Sequence, residues 1–198
     1  MKLLKDIIYG VRIEEVKGNT NIAVENISFD SREVNNLSLF IAIKGKNFDG
    51  HEFLEKAIQK GASGVVVSCK DSAIRFNGLL VKNTHAALLS FAKFSRNRFK
   101  GKIIAITGSN GKTTTKDMAK IIFNEFGKTF ATPGNNNNLI GLSLSLMKLP
   151  YNCHYCILEL GMSKKNELKK LSLIANWKKM LWKAHLSLFD QILLTSCS

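Results

Sequence analysis

Two kinds of apolar run take turns along this chain. Short unbroken runs at 39–43, 64–68, 78–81, 103–106 and 155–161 read as strands buried on both faces. Between them the spacing turns helical. Residues 52–60 put Phe53, Leu54, Ala57 and Ile58 on one face, and Gly61 is placed to end that helix. A second helix, 83–99, carries Ala87, Leu88, Phe91, Ala92 and Phe94, and a third, 114–126, stops at Gly127. A short strand is expected at 129–131 and an apolar helix at 139–149. Strands alternating with helices predict an α/β fold with a mostly parallel sheet. Residues 1–82 read as one small α/β unit and 83–198 as a second, with 176–198 irregular.

The strand at 103–106 breaks at Thr107-Gly108-Ser109-Asn110-Gly111 and restarts as a helix through Lys112, Thr113 and Thr114. A strand, a glycine turn and a Lys-Thr helix start make a phosphate-binding loop of P-loop type. Glycines let backbone N–H groups close around phosphate oxygens, and the helix N-terminus adds partial positive charge. Lys112 would reach the β- and γ-phosphates, and the Thr113 hydroxyl would help hold Mg²⁺. The motif is the shorter form, with Ile106 where the longer one has glycine.

Two further stretches bear on that loop. Glu159 is a lone acid late in an apolar strand, which is costly unless the carboxylate is paired or bound to a cation. It is the expected second anchor for Mg²⁺. Four successive asparagines, 135–138, follow a Pro133-Gly134 turn and precede an apolar helix, so their amides are placed to line a polar site. In the first unit Asp30, Ser31, Arg32, Lys44, Asp49 and His51 form a polar set. It reads equally as turn and cap residues or as an anion site built on Ser31, Arg32 and Lys44.

Composition narrows the partners. Lys plus Arg number 29 against 15 Asp plus Glu, a net charge of +14. The excess is mostly scattered lysine, and its densest cluster, 164–183, reads as a solvated helix face. With no aromatic-basic module beside it, nucleic acid is not an expected partner. No apolar run has the length of a membrane span, and the start has an acid in its apolar stretch and no small-residue cleavage site. A cytoplasmic location is expected. Cys153 and Cys156 have a metal-like spacing but no second ligand pair, so they read as free thiols in a core.

Taken together, Asp30-Ser-Arg32, the run from Leu39 through Lys44-Gly45, Phe48-Asp-Gly-His51, the 107–114 loop, the asparagine run and Leu158-Glu-Leu-Gly161 resemble the Mur ligases. Within them they are similar to the branch that adds D-Ala-D-Ala to UDP-MurNAc-tripeptide. The resemblance implies an ATP- and Mg²⁺-dependent amide ligase of peptidoglycan precursor synthesis that takes UDP-MurNAc-tripeptide and D-Ala-D-Ala as small-molecule substrates, and a monomer is expected. Ser31, Arg32, Lys44 and Gly45 would bind the uridine nucleotide end. Asn137 would lie near ATP, and Lys112 and Asn138 would serve the chemistry. Thr113, Glu159 and His185 would hold metal. The alternatives are a UDP-sugar-binding fragment without catalysis, or a related ligase adding the third amino acid.

The resemblance weakens at the end of the chain. Ala184-His185-Leu186 matches a metal-binding histidine motif of the family but arrives about four residues early, and the basic stretch before it leaves no room for the expected buried strand. The parallel sheet would then keep an unfinished edge. The family's C-terminal Rossmann-like domain is expected to be absent, so the 198-residue chain is expected to lack ligase turnover. Incubated with ATP, UDP-MurNAc-tripeptide and D-Ala-D-Ala, it should release no phosphate above background, and measurable turnover would refute that expectation.

Overall fold

The computed structural model describes residues 2–8, 11–45, 48–150, 152–161, 167–175 and 179–183. It divides into two compact units, Met1–Ser95 and Arg96–Ser198.

The first unit runs β1 (Lys2–Leu3), α1 (Leu4–Ile8), β2 (Glu15–Val16), β3 (Ala23–Val24), β4 (Asn26–Ser28), β5 (Ser38–Ile41), a 3₁₀ turn (Gly50–Phe53), α2 (Leu54–Gln59), β6 (Ala62–Val67), α3 (Lys70–Arg75), β7 (Leu79–Leu80) and most of α4 (Thr84–Arg98). Its main sheet has the order β2-β7-β6-β5-β4. Strands β4 to β7 pair in parallel, and β2 closes one edge antiparallel to β7. All four residues of β5 are buried, as parallel strands covered on both faces require. Phe40, Val65 and Val67 meet Leu54, Ala57 and Ala73 in one core cluster, so the two helices after β5 and β6 cover the same side of the sheet. Gly61 adopts φ +95° just past α2, and its N–H bonds to Ile58 O, which ends the helix as the sequence suggests. The short helix α3 has too few residues to show a period and was not visible in the sequence pattern.

The second unit runs β8 (Lys102–Gly108), α5 (Lys112–Asn124), β9 (Thr129–Ala131), α6 (Leu139–Lys148), β10 (Tyr155–Glu159), α7 (Glu167–Ala175) and β11 (Lys179–Lys183). The sheet order is β11-β8-β10-β9, parallel throughout. Ile104, Ile106 and Ile157 pack with Ala119 of α5 to form its core. Cys156 is fully buried and burial drives its thiol far up, while Cys153 is also buried and free. Both are core residues, as the sequence indicates.

Two expectations about the basic C-terminal stretch need correction. Residues 164–183 do not form a single helix face: α7 ends at Ala175 and a strand follows. Nor does the stretch lack room for a strand, because β11 pairs with β8 from Lys179↔Ile104 to Lys183↔Gly108. Met180, Leu181 and Trp182 suffice for a short edge strand once β8 supplies the backbone partners. The edge of β8 is therefore filled. His185 lies outside the described residues, as do 176–178 and 184–198.

Phe40 has no solvent exposure. Phe40→Ala should lower the unfolding free energy by about 3–5 kcal/mol. A urea midpoint equal to that of the parent chain would contradict this core assignment.

Candidate functional site

In the second unit the site is set by strand register. Strands β8 and β10 are parallel neighbours, with Ile106 opposite Glu159. Loops leaving their carboxyl ends therefore emerge side by side, where ligands bind in open α/β sheets. The 108–111 turn follows β8. Gly108 (φ +149°) and Gly111 (φ +71°) take conformations that favour glycine, and Gly111 is the N-cap of α5. Thr107 is buried, and its hydroxyl donates to Leu160 O at 3.0 Å, tying the base of the loop to the end of β10. Lys112 Nζ donates to Gly108 O at 2.9 Å and Ser109 O at 3.3 Å, so its ammonium lies across the loop. Ser109, Asn110, Thr113 and Thr114 are exposed, the last two in the first turn of α5.

Glu159 is 1% exposed. Its Oε1 accepts from Asn137 Nδ2 at 2.9 Å, and its backbone N–H donates to Thr132 Oγ1 at 3.0 Å. Its Oε2 is buried and has no hydrogen-bond partner among the described residues. An unpartnered buried carboxylate oxygen is expensive, and a hard cation is the kind of ligand that would satisfy it.

The asparagines divide their tasks. Asn137 reaches Glu159, and its carbonyl accepts from Gly161 N at 2.8 Å. A Cβ on Gly161 would come within 2.7 Å of Asn137 Oδ1, so only glycine allows that approach without a shift. Asn138 caps α6, with Oδ1 accepting from Gly141 N at 2.8 Å, which leaves its amide NH₂ as the free donor. Asn135 and Asn136 are exposed.

Sequence reasoning missed Lys116 and Thr132. Lys116 is 3% exposed and its ammonium donates to Thr132 O at 3.0 Å and Gly134 O at 2.9 Å. The available signal was its place on the buried face of α5, three residues before Ala119 and seven before Phe123. A lysine in core register needs carbonyl or carboxylate partners.

In the first unit β4, β5 and β6 also run parallel, so the loops after them share one edge. Ser31 is buried in the first loop, and Arg32 is exposed with its guanidinium on Asp30 at 2.6–3.0 Å. In the second loop Gly45 N donates to Phe48 O at 2.8 Å, and a Cβ on Gly45 would lie 2.4 Å from the Phe48 ring. Lys44 Nζ sits 3.5 Å from Asp49 Oδ2, and Lys44 O accepts from His85 Nε2 at 2.9 Å. Asp49 Oδ1 is 2.6 Å from His51 Nδ1, and His51 Nε2 accepts from Ser68 N at 3.0 Å, which puts the ring proton on Nδ1. The Asp30–Arg32 pair thus fixes the first loop from within, while the second is held both by its own Asp49 and by His85 and Ser68 outside it. Ser31, Arg32, Lys44 and Gly45 lie in the first unit and the phosphate loop in the second.

The comparisons identify the family. A model described as "Mur ligase middle domain" matches residues 106–186, and one described as "Mur ligase family, catalytic domain" matches residues 23–96. The chain belongs to the Mur ligase family. Among curated relatives, the UDP-N-acetylmuramoyl-tripeptide–D-alanyl-D-alanine ligase of Haemophilus influenzae is 38% identical over 155 residues, which is 76% of this chain and 34% of that protein. A MurF crystal structure from Acinetobacter baumannii superposes with a TM-score of 0.81 at 28% identity, over 91% of this chain and 40% of that one. MurF from Thermotoga maritima, solved in complex with ADP, gives a TM-score of 0.65 at 30% identity over 80% of this chain and 38% of that one. The chain spans about a third of the length of the curated relatives it matches.

Two carboxyls of the first unit link its loops to pH. The Arg32 guanidinium holds Asp30 below the usual carboxylate range, and the His51 backbone N–H does the same for Asp49, with the His51 ring and Lys44 adding to it. Both folded values are depressed, so their stabilisation is fully present above about pH 4 and is lost as pH falls through those values. Asp49→Asn should flatten the acid limb of stability against pH, measured by urea unfolding. An unaltered limb would show that Asp49 contributes nothing to it.

Proposed function

We propose that this chain carries the nucleotide-binding part of an ATP-dependent ligase that joins D-Ala-D-Ala to UDP-MurNAc-tripeptide in the bacterial cytoplasm. The observation that carries this reading is the phosphate loop beside a buried carboxylate whose second oxygen has no partner among the described residues. The relatives' names supply the substrates and the reaction.

Each residue has a task in that reading. The N–H groups of 108–114 cradle the ATP phosphates, and the Lys112 ammonium leaves the loop carbonyls to neutralise the γ-phosphoryl as it moves to the substrate carboxylate. The products of that step are an acyl phosphate and ADP. The dipeptide amine then attacks the acyl carbon, the tetrahedral adduct expels inorganic phosphate, and an amide remains. Asn138 offers its free NH₂ to the phosphates, while Asn137 keeps the Glu159 carboxylate oriented. The donor set also suits Mg²⁺: Glu159 supplies the unpartnered oxygen and Thr113 a hydroxyl. Bound there, the ion would offset phosphate charge. In the first unit the exposed Arg32, the Lys44-Gly45 turn and Ser31 suit the diphosphate and uridine of the nucleotide sugar.

ATP should raise the melting temperature of the chain. A ligand a hundredfold above its Kd stabilises by about 2.7 kcal/mol. Lys112→Ala should remove the ATP-dependent shift, and a shift of the original size in that variant would place ATP elsewhere.

A further inference from the structure

Lys116 has no part in the reaction as described, yet its environment is among the most specialised in the second unit. It lies one turn beyond Lys112 on α5, the helix that begins at the phosphate loop. Its side chain points inward, and its ammonium is held by the carbonyls of Thr132 and Gly134 at 3.0 and 2.9 Å, with Asp117 Oδ1 at 3.3 Å. A buried ammonium is expensive to desolvate, and replacing it with an apolar side chain is the simpler way to fill a core. The retained charge therefore calls for a local reason.

That reason lies in what Thr132 and Gly134 hold. Thr132 is 1% exposed, its N–H donates to Ile157 O at 2.9 Å, and its hydroxyl accepts from the Glu159 backbone N–H at 3.0 Å. Three residues past Gly134, Asn137 grips Glu159 Oε1 and Gly161 N–H. Gly134 itself turns through φ +53°. Lys116 thus clamps the start of a loop that touches Glu159 at two points, on its main chain and on its carboxylate. One helix in this way fixes both the phosphate loop, through its first turn, and the metal-facing carboxylate, through its second.

We propose that Lys116 is a positioning residue for the divalent cation. It locks the 132–137 backbone so that Glu159 keeps one oxygen on Asn137 and leaves Oε2 free for the ion. This rests on the magnesium reading given above. Loss of such an outer contact typically weakens metal affinity about 10- to 100-fold.

The test is a Mn²⁺ titration of the full chain followed by electron paramagnetic resonance, with Glu159→Gln marking the site by its loss. Lys116→Met should weaken that site about tenfold or more, and Lys116→Arg should recover most of the affinity. Hydrogen exchange at Gly161 N–H should quicken in Lys116→Met while the β8 amides keep their protection. Thr132→Val, which retains the lysine but removes the hydroxyl contact to Glu159, should weaken Mn²⁺ in the same direction and serves if Lys116→Met does not fold. Parent-like Mn²⁺ affinity in either folded variant, accompanied only by a lower melting temperature, would overturn the proposal. A parent chain with no Mn²⁺ site removed by Glu159→Gln would overturn it together with the magnesium reading, while an ATP shift lost in Lys112→Ala would still support the nucleotide reading.

Discussion

A carboxylate with almost no solvent exposure and, among the described residues, only one satisfied oxygen is the constraint on which the second unit's arrangement depends. Glu159 ends a strand in which Cys156, Ile157 and Leu158 are fully buried, so its main chain cannot shift towards water without disturbing the sheet. Its surroundings come to it instead. Thr132 takes the backbone N–H, Asn137 takes one oxygen, and Gly161 leaves the space for that asparagine to approach. One loop, through residues 27 and 22 positions away, converges on one acid, and in a low-dielectric interior such polar contacts weigh heavily.

How much of this the sequence reveals depends on the range of the interaction. The phosphate loop is legible because its signal is local: glycines at turn positions between a branched apolar run and a Lys-Thr helix start. Glu159 is legible as an anomaly, an acid where the pattern demands an apolar residue. The asparagine run is legible only in part, because nothing in four identical residues says that Asn137 meets Glu159 while Asn138 caps a helix. Lys116 is hidden by the abundance of lysine in the chain, and its inward direction depends on carbonyls 16 and 18 residues away. Strand β11 is missed for the related reason that Met-Leu-Trp shows no strand period by itself and becomes a strand through its pairing with β8.

The first unit applies the same geometry with different chemistry. Its parallel strands also deliver loops to one edge, but those loops are fixed by part-exposed ion pairs and by contacts from His85 and Ser68 rather than by a buried acid. Arg32 stays exposed on Asp30, and the Lys44-Gly45 turn closes over Phe48, so a charged rim is held open at low cost in burial. The two units thus present contrasting surfaces: one edge rich in preformed charge, the other organised around a desolvated oxygen.

The sheet order of the second unit also bears on synthesis. Pairing of β10 with β8 and β9 can be complete before β11 leaves the ribosome, because β11 follows all three in the chain. Until then β8, the strand that leads into the phosphate loop, is itself an open edge with its N–H and C=O groups unpaired. Such edges recruit strands from other chains. The five residues of β11 therefore act as a late seal. A pause in translation before Lys179 would lengthen the time in which nascent chains can associate through the very strand that supports the nucleotide site.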